Sequence, residues 1–211
     1  KYGMDSTFAR LDKFEDPAFV TDFQDALRFL RLPMDARVLS FGVNRGDEMA
    51  IFTHLLGRER TDGMTFVGLD HSPSAIHAAQ ARYPAENMRF SIADLQDLHT
   101  LDLGRFDLVM ALNTLQSPGL DGHGILRRIV RNHLTMSGSI LLGLPNDRYV
   151  DHAHLYGARV KNYREPELSL LLKDVMAYRR YLHQQRFTVK VSGKNTVLLA
   201  ARRTGPGNED T

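Results

Sequence analysis

Short apolar runs with almost no polar alternation recur along this chain, and most are followed by a stretch with helical spacing. Residues 37–41, 64–69, 88–92, 106–112 and 138–144 read as strands buried on both faces. Between them, residues 47–56, an alanine-rich body from Ser72 to Tyr83, and residues 123–134 read as helices. Gly57 and Pro84 sit where the first two must stop. Strands of this kind pair in parallel and need crossover helices on both faces of the sheet. The expected fold class is therefore α/β and doubly wound, with a mostly parallel seven-stranded sheet.

Asp16-Pro17 supplies an N-cap followed by proline at the first helical position, so a helix is expected over about 17–31. After Pro145 the rhythm breaks. Residues 146–166 are polar and aromatic without a sustained period, and an amphipathic helix follows through Leu171, Val175, Tyr178 and Leu182. Residues 187–191 and 196–200, separated by Ser192-Gly193-Lys194-Asn195, read as an antiparallel C-terminal hairpin. The expectation is one domain over 1–204 with a disordered tail over 205–211.

Composition narrows the chemistry. The 211 residues include no cysteine, which excludes disulfides, thiolate zinc sites, iron–sulfur clusters and cysteine nucleophiles. No apolar run approaches the ~18–20 residues of a membrane helix, and no leader pattern opens the chain, so a cytoplasmic protein without membrane contact is expected. The net charge of +2 is unevenly placed. Residues 1–105 carry 12 Lys/Arg against 16 Asp/Glu, and residues 106–211 carry 15 against 9, so an anionic partner suits the second half.

Three features fall at the carboxyl ends of successive strands, where open parallel sheets bind ligands. The loop Gly42-Val43-Asn44-Arg45-Gly46 leads from strand to helix, and its glycines and asparagine tolerate positive φ and close approach to a ligand. Asp70 ends the second strand, where a carboxylate can accept both hydroxyls of a ribose. Asp94 follows the third, where a carboxylate can accept an adenine amino group. A nicotinamide dehydrogenase would carry G-x-G-x-x-G with its ribose acid about 20 residues on. Here the third glycine is missing and the interval from Gly42 to Asp70 is longer.

Over roughly residues 36–145 the chain resembles the class I S-adenosylmethionine-dependent methyltransferases. The stretch from Val38 to Gly46 resembles the family's first motif, Val67-Gly68-Leu69-Asp70-His71-Ser72-Pro73 its second, and Ala93-Asp94-Leu95 its third. Phe106 to Asn113 resembles its fourth-strand motif. The resemblance implies S-adenosyl-L-methionine as cofactor, held by Ser40, Gly42, Asn44, Gly46, Asp70, His71, Asp94, Leu95 and Asn113. It departs from the family in two places. The acid that opens the first motif is Ser40, and the middle glycine is Asn44. Asp47 and Glu48 are the acids nearest to replace the missing carboxylate.

Methyl transfer is an in-line displacement, so the protein must chiefly hold a nucleophile opposite the sulfonium. Asn113 is placed to contact the acceptor or the methionyl end, whereas Gln116 reads as a solvated loop residue. Residues 146–166 would border the acceptor side as a lid, with His154 and Tyr156 as candidate catalytic residues. Asp151, His152 and His154 could supply a base or ligate a metal, although His-x-His without a third clear ligand is a weak metal pattern. The expected acceptor is a hydroxyl or amine of a small molecule. The alternatives are an RNA base, reached through the basic second half, and a non-catalytic Rossmann-like interaction module.

Overall fold

A computed structural model describes residues 16–117, 119–146, 148–150, 153–156 and 170–203. Helix α1 (Pro17–Leu30) starts at Asp16, whose carboxylate accepts the backbone N–H groups of Ala18 and Phe19 at 3.1 and 3.2 Å. It ends at Arg31 in the left-handed region. Strand β1 (Arg37–Phe41) follows, then α2 (Asp47–Leu56), the short α3 (Arg58–Asp62) and β2 (Thr65–Asp70). Helix α4 (Pro73–Arg82), β3 (Met88–Ile92) and β4 (Phe106–Leu112) continue the alternation, with one 3₁₀ stretch (Leu95–Thr100) between the last two. Then come α5 (Gly122–Arg128), β5 (Leu134–Pro145), the short β6 (Arg148–Val150) and β7 (Ala153–Tyr156), α6 (Leu170–Gln184), β8 (Phe187–Ser192) and β9 (Thr196–Arg203).

Seven strands form one sheet in the order β3-β2-β1-β4-β5-β9-β8. The first five run parallel, while β9 is antiparallel to β5 and β8 antiparallel to β9. This is the doubly wound, mostly parallel sheet with a terminal antiparallel hairpin expected from the strand rhythm. Each face carries its own core. On one face Phe23, Phe52 and Phe66 stack edge to face at 5.6 and 5.5 Å between α1, α2 and β2. On the other, Ile125, Leu126, Tyr178 and Leu182 of α5 and α6 close over Leu39, Val109 and Leu142.

Three readings from spacing alone need correction. The helix expected over 123–134 is regular only to Arg128, and its last turn widens through Ile129–His133. Strand β5 then starts at Leu134 instead of 138. Leu134 pairs with Phe106 ahead of a register shift, and the Thr135 hydroxyl donates to Asp107 at 3.0 Å. These contacts draw the polar stretch 135–137 into the sheet. The expected irregular stretch 146–166 contains the β6–β7 hairpin, with Tyr149 paired to His154. The rest of the proposed lid, residues 147, 151–152 and 157–166, and the tail 205–211 lie outside the described residues.

Gly68 marks how tightly the sheet packs below its ligand end. A Cβ at this position would lie 2.6 Å from Phe90 Cδ1 and 3.0 Å from Val43 Cγ2, both on buried side chains with nowhere to move. Overpacking of a filled core costs about 1–3 kcal/mol. Gly68→Ala should therefore lower the unfolding free energy by that amount, read from equilibrium unfolding as a lower urea midpoint at an unchanged slope.

Candidate active site

Register places the candidate residues at one end of the sheet. Phe41 pairs with Leu69 and with Ala111, so Gly42, Asp70 and Leu112 stand one step beyond on adjoining strands. Asn113 follows, and its backbone N–H donates to Gly143 O at 2.8 Å. From β3, the backbone N–H of Ala93 donates to Asp70 O at 2.9 Å, which brings Asp94 to the same end.

The loop after β1 is held by the end of β2. The N–H groups of Gly42 and Val43 both donate to Leu69 O, at 2.8 and 3.2 Å. Gly42, Asn44 and Gly46 all have positive φ, at 67, 48 and 78°. Glycine and asparagine are the residues that take this conformation most readily. Gly42 is further restricted by Thr114, whose hydroxyl donates to Phe41 O at 3.0 Å and would collide with any Cβ at 42.

Asp70 is 9% exposed and accepts from two backbone N–H groups, Asn44 onto Oδ2 at 3.0 Å and Ser72 onto Oδ1 at 2.9 Å. His71 Nδ1 lies 3.4 Å from Oδ1. A carboxylate has about four acceptor positions, so this one keeps capacity for hydroxyl donors. Asp94 is exposed. Its Oδ1 accepts from the Gln96 N–H at 2.8 Å as it caps the 3₁₀ stretch, and Leu95 beside it packs half-buried on the α5–α6 core. Ser40 lies inside β1, 1% exposed, opposite Gly68 and Met110. Of the two acids considered as substitutes for the missing carboxylate, Asp47 is engaged by Arg82 Nη1 at 2.6 Å, and Glu48 is buried at the first turn of α2.

Asn113 sits at φ 59° with its Oδ1 shut from solvent and without a hydrogen-bond partner. Gln116, expected in solvent, is instead only 8% exposed, and neither its Oε1 nor its Nε2 has a partner. Reading a polar residue in a Pro-containing loop as solvated failed because the loop folds under, with Leu115 buried in the core beside it. Sequence reasoning also passed over Thr114 and Tyr83. A Cβ at Gly46 would lie 2.8 Å from the Tyr83 ring, which thus closes one side of the loop. Neither residue carries a local pattern that marks it. The side chains of His154 and Tyr156 are outside the described set.

A glycine-bearing turn after β1, a buried acid ending β2 and an acid after β3, on this strand order, define the Rossmann-like class of nucleoside-cofactor proteins. Residues 41–140 match the family model described as "Methyltransferase domain". No curated protein sequence matches the chain. Among solved structures it is similar to an O-methyltransferase family protein from Burkholderia thailandensis, at 16% identity and TM-score 0.59. The alignment covers 97% of this chain and 64% of that one, so the chain spans less than two thirds of its length. A SAM-dependent methyltransferase from Aquifex aeolicus aligns at 12% identity and TM-score 0.62, covering 93% and 98% of the two chains. The N-terminal domain of EvdMO1 with SAH bound aligns at 20% identity and TM-score 0.54, covering 90% and 82%. The match to the methyltransferase domain model takes in just under half of the chain, and the chain as a whole shares the fold of these methyltransferases.

The residues present fit S-adenosylmethionine, the cofactor the resemblance implies. Asp70 retains acceptor capacity, and the buried Asn113 Oδ1 and the buried Gln116 amide are left with unmet hydrogen-bonding capacity. An unpaired buried amide costs roughly 1–3 kcal/mol of desolvation. Gln116→Met, which keeps the length and removes both polar atoms, should raise the unfolding free energy by about 1 kcal/mol in a denaturant titration. A fall in stability would show that the amide is satisfied in solution.

Proposed function

We propose that this chain is an S-adenosylmethionine-dependent methyltransferase that moves a methyl group to a hydroxyl or amine of a small molecule entering beside Asn113. Bound S-adenosylmethionine would supply an electrophilic methyl on sulfur, and the chain's residues hold and orient the two reactants. In this reading Asp70 accepts the ribose hydroxyls. Asp94 and Leu95 flank the adenine, the one by accepting a hydrogen bond and the other by apolar contact. The left-handed loop Gly42-Val43-Asn44-Arg45-Gly46 lets backbone approach the methionyl portion closely. Asn113 and Gln116 face the acceptor with amide groups that can accept from its hydroxyl or amine and orient its lone pair. His154 and Tyr156, in β7 after the fifth strand, supply the acceptor side, His154 as the base for an acceptor that arrives protonated.

The observation that carries this reading is Asp70, a buried carboxylate fixed by Asn44 and Ser72 at the junction of β2 with the glycine loop. Calorimetric titration with S-adenosylmethionine tests it. Removing a charged partner of buried ligand hydroxyls costs roughly 1–3 kcal/mol, so Asp70→Ala should bind about 5- to 150-fold more weakly than the parent. Equal affinity in the two proteins would reject the assignment. His154→Ala should leave cofactor affinity unchanged and lower turnover.

A further inference from the structure

We propose that the cleft between α5 and α6 binds a phosphate ester. The cleft has a volume of about 200 Å³ and is lined by His123, Arg127, Arg180, Tyr181 and Gln184, over an apolar floor that includes Leu126. These polar side chains are rich in donors and hold no carboxylate, which suits an oxyanion with several acceptor oxygens. Two of them are arginines, whose planar fork matches phosphate oxygens in pairs.

The surroundings reinforce the charge. Arg131 follows in the widened turn Ile129–His133 and is exposed, as Arg127 is. Burial pushes the Tyr181 hydroxyl above its ordinary pKa, while Arg131, Arg127 and Arg203 pull it back down, so all three cations act on one hydroxyl at the cleft. Arg203 is held there by stacking over the Phe187 ring at 4.9 Å. Among the described residues from 122 to 203 there are twelve Lys and Arg but a single acid, Asp174. Its Oδ1 lies 3.8 Å from His123 Nε2.

The cleft also has a place relative to the chemistry. Helix α5 begins at Gly122, packed so closely that a Cβ there would lie 2.6 Å from Leu115 O. Leu115 belongs to the same loop as Asn113 and Gln116. The His123 end of the cleft is thus the end nearer the proposed acceptor side. That consequence rests on the methyl-transfer reading, but the binding itself does not. The phosphate could belong to a phosphorylated small molecule or to an RNA backbone, and the two are separable by measurement.

Inorganic phosphate, ribose 5-phosphate and ribose are titrated into the protein by calorimetry at low salt. A fluorescein-labelled 12-nucleotide RNA is followed by anisotropy between 50 and 200 mM salt. The expected result is that the phosphate-bearing probes bind and ribose does not, with Arg127→Gln/Arg180→Gln weakening binding about tenfold or more. A phosphorylated small molecule is the natural ligand class if ribose 5-phosphate binds at least as tightly as the RNA. RNA is the class if it binds more tightly, with a log–log salt slope of about −2 or steeper, which corresponds to three or more phosphates. Binding of ribose equal to that of ribose 5-phosphate would overturn the proposal, as would full affinity in the double variant or no binding by any phosphate probe. S-adenosylhomocysteine should bind the parent and the double variant alike. A parent that binds phosphate but not S-adenosylhomocysteine would count against the cofactor site and leave the cleft standing.

Discussion

The carboxylate of Asp70 is bonded from both sides by backbone, and the ligand end of the sheet is built around it. Asn44 N–H reaches Oδ2 from the loop after β1, and Ser72 N–H reaches Oδ1 from the start of α4. The carbonyl of the preceding residue, Leu69, accepts from Gly42 and Val43, while Asp70's own carbonyl accepts from Ala93. Three connections, after β1, β2 and β3, are therefore fixed to two consecutive residues of one strand. Asn44 can donate inward because its backbone is left-handed, so the positive φ values of the loop and the acid of β2 are parts of one arrangement. Charge-assisted bonds of this type are stronger than neutral ones, and they leave the carboxylate oriented before any ligand arrives.

Close packing protects this arrangement from beneath. Gly68 admits Phe90 and Val43 against β2, Gly46 admits the Tyr83 ring, and Gly42 admits Thr114. In each case a side chain from elsewhere occupies the volume a Cβ would need, so the loop is held by tertiary packing as much as by its own conformational preference. The Arg82 guanidinium lies 5.3 Å over the Tyr83 ring while holding Asp47 at 2.6 Å, which joins α4 to the first turn of α2.

Most of the frame was legible in the sequence because it depends on short-range regularities. Continuous apolar runs marked the parallel strands, Asp16-Pro17 marked the start of α1, and the loop and Asp70 were marked by residue types that few other roles require in that order. What was not legible depends on tertiary burial. Gln116 looked like any loop residue, since only the path of the chain past Leu115 puts it inside. The early start of β5 depends on Asp107, which accepts from both the Arg37 N–H and the Thr135 hydroxyl and so gathers a polar stretch into the sheet. Asp47 offered a charge in the right stretch, but its partner Arg82 lies 35 residues away.

Ser40 shows how the charge near the loop has been redistributed. The position lies inside β1 between Gly68 and Met110 at 1% exposure, and a carboxylate there would need a cationic or hydrogen-bonding partner to offset its desolvation. Serine avoids that cost. The next acids along the chain sit instead at the first turn of α2, where the helix dipole favours negative charge. Arg82 neutralises one of them, so that carboxylate serves to dock α4 onto α2. On the proposed reading, fixed negative charge is then concentrated at the nucleoside end through Asp70, and the methionyl end meets chiefly backbone from the left-handed loop. Backbone groups cannot be strengthened by changing a side chain. Tuning of affinity in this protein is therefore expected to act through Asp70 and the residues that hold it in place.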